Sequence, residues 1–301
     1  KVVSSLKPKV RQQPNIRTFG LFRLPLRIYS LSGKRNHFVN RALRNIGEAP
    51  RVYNDTLVHK SCEAMEQTLV NQGYLKAEVT SETFYRKHKA QVNYYAHPGR
   101  QYRISSLRYA CLDTALLEYI LADTVNSPVK VGMPFDANVL NDERTRLASL
   151  LQSKGYYGFK KDYISYLADT VRNSSNVALT VRVRSGMLSQ EPAMGESTYT
   201  FWNKYRIGKV KYLMYPTSFA YQNSYVFPDT VRVGNEYFLF DGKSPFRFST
   251  VRHASHIAPD MVYDVNMVKK SYASYGRLKA LKYTNINFEK VNDSTLNCHI
   301  T

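Results

Sequence analysis

Cysteine is scarce in this sequence, with only Cys62, Cys111 and Cys298 among 301 residues. Cysteines so few and so widely spaced do not build a disulfide framework or a structural zinc site. No apolar run approaches the roughly 18 residues that a membrane-spanning helix requires, and the chain opens without a signal-peptide pattern. The sequence therefore predicts a soluble piece of a longer protein, or a mature chain whose targeting signal was removed.

Acidic residues are also in short supply, with 23 Asp and Glu against 43 Lys and Arg and a formal net charge of +20. Residues 1–50 hold eleven basic residues and a single acidic one, Glu48. This excess is equally consistent with a surface that contacts an anionic partner and with a solvated basic tail. The residues predicted to form a basic contact surface are Lys7, Lys9, Arg11, Arg17, Arg23 and Arg27.

The stretch GLFRLPLRIYSL, residues 20–31, interleaves arginines with apolar side chains and contains Pro25, which argues against a continuous helix. It either packs on the first domain, which is the preferred interpretation, or lies on a membrane surface. Anionic lipid is therefore one candidate partner of the basic segment.

Histidines do not stand in a pattern that supports chemistry. His253 and His256 are spaced i, i+3, but no third metal ligand accompanies them. Cys298 and His299 are neighbours in a strand-like period, so their side chains point to opposite faces. We expect no enzyme, no metal site and no cofactor.

One construction occurs twice, at NQGYLKAEV (residues 71–79) and SKGYYGFKKDYISY (residues 153–166). In each copy an apolar period typical of a helix ends at a glycine, Gly73 or Gly155, and a period of two follows. Glycine readily takes the left-handed conformation that ends a helix. The chain is therefore predicted to be an array of small α+β units.

A second pair of near copies, QYRISSLRY (residues 101–109) and KYRIGKVKY (residues 204–212), predicts the opening strands of two units. Asp136 and Asp264 precede similar helical patterns and are predicted to cap them. The second unit then has the order β-α-α-β-β, with strands at 101–110, 156–167 and 176–184 and helices at about 112–122 and 136–153. Earlier in the chain, helices are predicted at about 35–46 and 54–71, followed by a hairpin that turns at 86–89.

These patterns divide the chain. The predicted parts are a lead-in at 1–14, a first domain at 15–100 whose opening strand is unclear (16–21 is a weak candidate), a second domain at 101–186, a linker or long loop at 187–203, and a third domain at 204–301 with an insertion at about 216–246.

Three pairs of stretches resemble the polypeptide-transport-associated (POTRA) domain of the outer-membrane assembly family, the BamA and TamA type: IGEAPRVYND with LVNQGYLKAEV, VGMPFDANVL with LLQSKGYYGF, and IAPDMVYDVNMV with LKALKYTNINFE. The opening RQQPNIRTFGLFRLPLRIYSLS is more similar to lipoprotein-type TamA relatives. The third copy departs from the pattern, because Lys282 precedes Tyr283 where a glycine is expected.

The resemblance implies tandem β-α-α-β-β domains, each a three-stranded mixed sheet covered by two helices. It implies a periplasmic scaffold at the bacterial outer membrane, ahead of its own C-terminal membrane β-barrel, in an assembly or translocation factor. The implied partners are unfolded outer-membrane proteins, assembly subunits or an inner-membrane TamB-like protein.

By family topology, the strand after the second helix lies at a sheet edge, where a strand of a client can be added. The residues predicted to form these docking strands are Ala77, Val79, Ser81, Phe159, Lys161, Tyr163, Ser165, Thr284, Ile286 and Phe288.

The alternative function is a basic nucleic-acid-binding protein. Tyrosines number 24 and often adjoin a basic residue, as at Tyr85-Arg86, Tyr102-Arg103 and Tyr205-Arg206. Interleaved aromatic and basic residues also build single-strand nucleic-acid surfaces. Tyrosines on half-exposed strands, with basic residues at the edges, are the simpler explanation, so no nucleic-acid partner is expected.

Overall fold

The computed structural model describes residues 2–18, 22–33, 35, 37–87, 89–170, 174–188, 199–215, 225–278 and 281–301. The helices among these residues are α1 (Val2–Leu6), α2 (Leu24–Ser30), α3 (Phe38–Ile46), α4 (Asp55–Asn71), α5 (Thr114–Ala122), α6 (Ala137–Ser153), α7 (Phe248–Ala254) and α8 (Val265–Arg277). The strands are β1 (Glu78–Arg86), β2 (Lys89–His97), β3 (Arg103–Ala110), β4 (Ile164–Thr170), β5 (Asn176–Val183), β6 (Gly186–Leu188), β7 (Tyr199–Phe201), β8 (Arg206–Leu213), β9 (Asp229–Val233), β10 (Glu236–Phe240), β11 (Ile286–Lys290) and β12 (Thr295–Ile300).

The chain packs as two compact units. The first comprises residues 1–105, 131–138 and 170–177, and the second comprises residues 106–130, 139–169 and 178–301. The α+β class predicted from the sequence is confirmed.

In the first unit, α4 is an amphipathic helix that packs on a β-hairpin. Its period places Met65 and Leu69 against Ala77 and Val79 in one buried cluster. The side chain of Asn54 accepts a hydrogen bond from the Thr56 N–H (2.9 Å) and caps the start of the helix. The helix predicted at about 54–71 from its apolar period is therefore confirmed as α4.

The hairpin of the first unit pairs β1 with β2 from Glu78 opposite His97 to Arg86 opposite Lys89. The predicted hairpin is confirmed, and residue 88 of its predicted turn lies outside the described residues. The sheet has two strands rather than the three expected of this domain. The candidate opening strand was predicted at 16–21. Thr18 forms an isolated bridge with Phe22, and residues 19–21 lie outside the described residues.

The predicted β-α-α-β-β order is confirmed in the elements β3, α5, α6, β4 and β5, here called the second repeat. The strand order in its sheet is β3-β5-β4. Helices α5 and α6 bury Leu116, Leu147 and Leu151 in a core shared with Val181 of β5. Burial on this scale is what fixes the helices on the sheet.

One strand boundary of the second repeat was predicted wrongly. The expected strand at 156–167 begins only at Ile164, because residues 161–163 form a short 3-10 helix. Phe159 is completely buried, and Gly158 before it has φ +82°. A chain that must turn to bury an aromatic side chain cannot remain extended there.

The elements β8, α7, α8, β11 and β12, here called the third repeat, have the same order but a larger sheet. Its strand order is β11-β12-β8-β10-β9, with β12 parallel to β8 and antiparallel to β11. The predicted insertion supplies the hairpin of β9 and β10, and β10 pairs parallel to β8. A three-stranded sheet was expected, and the insertion makes it five-stranded.

The predicted linker at 187–203 is structured at both ends. Strands β6 and β7 pair antiparallel, from Gly186 opposite Phe201 to Leu188 opposite Tyr199. The indole of Trp202 donates a hydrogen bond to the Arg184 carbonyl oxygen (2.8 Å). Within the part of the chain that is described, no helix has the length and apolarity needed to cross a membrane.

Candidate docking edges and a repeated junction

Gly73 joins the end of α4 to the start of β3. The Tyr102 N–H donates to the Gly73 carbonyl oxygen (2.8 Å), and the Phe135 N–H donates to the Tyr102 carbonyl oxygen (2.9 Å). Gly73 has φ +90°, a conformation that glycine adopts without the strain of a side chain. The glycine therefore ends a helix and anchors the opening strand of the next repeat.

The same junction recurs at Gly155, which lies between α6 and β8. The Tyr205 N–H donates to the Gly155 carbonyl oxygen (2.9 Å), and the Tyr263 N–H donates to the Tyr205 carbonyl oxygen (2.9 Å). Gly155 has φ +102°. The repeated Gly-Tyr and Tyr-Arg-Ile motifs of the sequence are thus the two sides of one hydrogen-bonded joint.

The resemblance of the junctions extends to the segment before each capped helix. Arg103 bridges to Pro134, and Arg206 bridges to Val262. The guanidinium of Arg103 donates to the Gly132 carbonyl oxygen (2.9 Å), as that of Arg206 does to Asp260 (3.0 Å). The carboxylates of Asp136 and Asp264 accept from Asn138 N–H (2.8 Å) and Asn266 N–H (2.7 Å), which confirms both predicted caps. The sequence identifies the Tyr-Arg-Ile motifs and the caps, but it does not predict that they contact each other.

Aromatic packing reinforces the second junction. The ring of Tyr157 lies 5.9 Å from that of Tyr205, 5.1 Å from that of Tyr263 and 5.7 Å from that of Phe288, measured between centroids. These separations are typical of attractive edge-to-face contacts. Burial raises the pKa of the Tyr263 hydroxyl to about 12.

The last tyrosine of each opening strand, β3 and β8, is hydrogen-bonded to a buried glutamate. The Tyr109 hydroxyl donates to Glu143 (3.2 Å), and the guanidinium of Arg146 pairs with the same carboxylate through Nε (2.7 Å) and Nη2 (3.0 Å). Burial, with Glu143 adding to it, raises the pKa of Tyr109. A buried charge needs such partners, so Tyr109 and Arg146 stabilise the Glu143 carboxylate.

The third repeat builds the same arrangement from different elements. The Tyr212 hydroxyl donates to Glu236 of the inserted strand β10 (3.2 Å), and Arg252 of α7 pairs with that carboxylate (2.8 Å). Tyr212 and Tyr109 occupy the same place in the two Tyr-Arg-Ile copies. The insertion thus supplies a carboxylate that α6 supplies in the second repeat.

Strand β11 ends the sheet of the third repeat and presents an edge. Asn285 and Thr301 exchange both backbone hydrogen bonds (2.8 Å each), which fixes the alternation along the ladder. In an antiparallel pair, alternate residues bond to the partner strand. Asn287 and Glu289 therefore bond towards β12, whereas Ile286, Phe288 and Lys290 direct their backbone N–H and C=O groups away from it.

Tyr272 of α8 already occupies the first position of this edge. The Ile286 N–H donates to the Tyr272 hydroxyl (2.9 Å), and the hydroxyl lies 3.5 Å from the Ile286 carbonyl oxygen. Among the described residues, the outward backbone groups of Phe288 and Lys290 have no hydrogen-bond partner. Of the predicted docking residues at 284–288, Ile286 and Phe288 lie in β11, and Thr284 precedes the strand.

Strand β4 lies at the edge of the second repeat's sheet, as the family topology implies. Ser165 and Leu167 are exposed, while the Tyr166 hydroxyl donates to the Leu140 carbonyl oxygen (2.7 Å). Of the docking residues predicted in this repeat, Ser165 therefore lies on an edge strand.

Several of the remaining predicted docking residues are buried in the hydrophobic cores. Ala77 lies just before β1 and is buried, as is Val79 within it, and Ser81 is half-buried. Phe159 and Tyr163 contact the ring of Trp202, with centroids 5.3 and 4.7 Å away, and Lys161 lies in the 3-10 helix. The expectation that Phe159, Lys161 and Tyr163 belong to an edge strand is wrong, because the aromatic pair is packed inwards.

The predicted lead-in at 1–14 contains α1, whose Leu6 is buried in the cluster with Met65 and Leu69. The Arg11 N–H donates to the Ser61 hydroxyl of α4 (2.9 Å), so this segment is fixed to the first unit. The side chains of the predicted basic surface remain accessible. Exposed residues are Lys7, Lys9, Arg11, Arg17 and Arg27, and Arg23 is half-buried.

His253 and His256 each lie within hydrogen-bonding distance of a nearby oxygen atom. His256 Nε2 lies 2.9 Å from the Ser274 hydroxyl, and His253 Nδ1 lies 2.5 Å from the Ser249 carbonyl oxygen. Among the residues that the model describes, no group of three potential ligands gathers for a metal ion.

Comparison with known proteins gives similarities among solved structures alone, since no family model and no curated protein matches. The POTRA3–5 fragment of BamA from Haemophilus influenzae is 13% identical, covers 84% of this chain and 85% of its own, and has a TM-score of 0.43. BamA from Haemophilus ducreyi lacking POTRA domains 1–3 is 18% identical over 46% of this chain and 24% of its own, with a TM-score of 0.31. POTRA1–3 of the periplasmic domain of Omp85 from Anabaena is 10% identical over 96% and 91%, with a TM-score of 0.26.

Proposed function

We propose that this chain is a periplasmic scaffold of three POTRA-like domains, at 15–100, 101–186 and 204–301, in an outer-membrane protein assembly or translocation factor. Its clients are unfolded β-rich outer-membrane proteins, and assembly subunits or an inner-membrane TamB-like protein are its further partners. The sequence motifs and the repeated β-α-α-β-β order support this proposal.

The single observation that carries the proposal is the edge of β11. Phe288 and Lys290 present backbone groups on the side away from β12, whereas Tyr272 covers the corresponding groups of Ile286. Unpaired backbone groups at a sheet edge pair readily with another extended chain. A site built from backbone groups is largely indifferent to the client's side chains, which suits a scaffold that handles many clients.

A proline at position 290 tests this directly. The Lys290 N–H points away from β12, so Lys290→Pro removes an outward donor without removing a bond of the sheet. Lys290→Ala is the matched control, since it also removes the ammonium group that lies 5.3 Å from the Tyr205 ring centroid but keeps the N–H. The probe is a fluorescent peptide of about ten alternating valine and threonine residues, which resembles a barrel strand.

We expect Lys290→Pro to weaken peptide binding about fivefold, the equivalent of one hydrogen bond of about 1 kcal/mol, and Lys290→Ala to change it little. Tyr272→Phe removes the hydroxyl that covers Ile286 and should strengthen binding, because the open edge becomes longer. Equal affinity in the proline and alanine variants, or no effect of Tyr272→Phe, would show that β11 is not the docking edge.

A further inference from the structure

Helix α3 has two chemically distinct faces. At 100° per residue, its apolar residues Phe38, Val39, Ala42, Leu43 and Ile46 fall within one sector of about 140°. Its polar residues, which include Arg41 and Arg44, occupy the opposite side. A helix with this pattern normally buries its apolar face.

This face is not buried. None of the residues of α3 is buried, and Phe38 is 85% exposed, Ile46 70% and Val39 62%. Among the described residues, α3 packs against α2. Large apolar side chains grouped on one exposed helix face mark an interaction surface, whereas single exposed ones do not.

The neighbouring helix α2 and its flanks extend the same surface. Phe22, Leu24 and Leu31 are all exposed, with Leu31 at 74%. Arginine residues alternate with them in the sequence, at Arg23 and Arg27. The helical hairpin of α2 and α3 therefore offers apolar and basic side chains together.

The charge of the hairpin has one sign. Residues 22–47 contain six Lys and Arg residues and no acidic residue. Arg27 and Arg44 line an open cleft between the two helices together with the hydroxyl groups of Ser30 and Ser32. The guanidinium groups are suited to phosphate oxygens, whereas the Ser30 and Ser32 hydroxyls already donate to the carbonyl oxygens of Arg27 and Tyr29.

We propose that the α2–α3 hairpin docks on the surface of an anionic lipid bilayer, with Phe38, Val39 and Ile46 in the interface and the arginines at phosphate groups. Exposed apolar residues combined with basic residues are the signature of a helix lying in the membrane interface. An acidic protein surface would complement the arginines but would leave the apolar face of α3 exposed. This inference is independent of strand docking at β11.

Co-sedimentation of the 301-residue chain with vesicles tests the proposal. The vesicles contain phosphatidylcholine alone or with 30% phosphatidylglycerol, at low and at physiological salt. We expect binding to the anionic vesicles only, and Phe38→Ser/Ile46→Ser should weaken it roughly tenfold or more by removing the apolar contribution. Arg35→Gln/Arg41→Gln should weaken binding mainly at low salt, where charge attraction is least screened.

The matched control is Leu112→Ser/Val125→Ser, which removes two apolar side chains of similar exposure, 79% and 82%, from the second unit. This variant should bind vesicles as the unmodified chain does. The proposal is overturned if the two serine variants behave alike, or if the chain binds soluble polyglutamate but no vesicles. Circular dichroism confirms that each variant is folded.

Discussion

A Cβ atom placed on Gly73 would lie 2.8 Å from the carbonyl oxygen of Phe135. The two residues come from successive repeats in the sequence, and the contact is with main chain, which cannot swing aside as a side chain can. The equivalent Cβ on Gly155 would lie 2.9 Å from a side-chain atom, the Cγ1 of Val262. The junction at Gly155 can therefore accommodate an added Cβ by moving a side chain, whereas the junction at Gly73 would have to move its backbone.

Alanine at the two glycines should have unequal effects on stability. Gly73→Ala should lower the free energy of unfolding in urea by about 3 kcal/mol or more, from left-handed strain plus displaced backbone. Gly155→Ala should cost less, and Val262→Ala should restore part of the loss. Gly132→Ala is the control, because Gly132 has φ +88° with no atom within 4 Å of the added Cβ. It should cost only the strain, about 1–2 kcal/mol. A loss at Gly73 no larger than at Gly132 would contradict the close approach.

The two glutamate clusters should respond differently to loss of their arginine. Glu143 is fully buried and the Arg146 side chain is 21% exposed, whereas the Arg252 side chain beside Glu236 is 57% exposed. Arg146→Ala leaves a buried carboxylate without its cation and should destabilise the chain by about 3 kcal/mol.

Water can partly replace the second arginine, so Arg252→Ala should cost about 1 kcal/mol. Arg144→Ala is the control from the same helix, because Arg144 pairs with the exposed Asp162 at 3.3 Å and should contribute less than 1 kcal/mol. Urea denaturation of the three variants gives the ranking, and an equal loss for all three would show that burial of Glu143 does not matter.

Alkaline pH should destabilise the second unit through Cys298. Burial raises the pKa of this thiol from 9.0 to about 12. The unfolded chain therefore releases the proton above pH 9 while the folded chain retains it. The stability that results is fully present below pH 9 and is lost as the pH rises through about 12.

We expect the melting temperature of Cys298→Ala to fall less steeply between pH 9 and 11 than that of the unmodified chain. Buried tyrosines contribute in the same direction in both proteins, so the comparison isolates the thiol. Ellman's reagent gives a second measurement, in which Cys62, half-buried, should react in the folded chain and Cys298 only after unfolding. If the melting temperatures of the two proteins fell in parallel with pH, the Cys298 thiol would not contribute to the alkaline destabilisation.

Local patterns predicted much of the fold. The helical offsets behind Gly73 and Gly155 located α4 and α6, and Asp136 and Asp264 marked helix starts, because periodicity and caps depend on nearby residues. The strand predicted at 156–167 was wrong around Phe159, because a period of two cannot distinguish an extended strand from turns that bury an aromatic residue.

The candidate docking site depends on contacts between distant residues. The cover that Tyr272 gives to Ile286 joins α8 to β11, and no sequence spacing specifies it. The place of Glu236 in the sheet follows from an insertion that pairs parallel to β8. Such pairings are decided by packing of the whole repeat, which the sequence of one strand does not encode.

The joint at Gly73 and Gly155 also determines how such an array can change during evolution. Its central hydrogen bonds run from main chain to main chain, so a duplicated repeat already contains both halves of the connection. A new copy needs a glycine at its helix end and an extended segment at its start, and its other surface positions remain free to diverge. Lengthening the chain by duplication therefore requires no newly evolved recognition between neighbours.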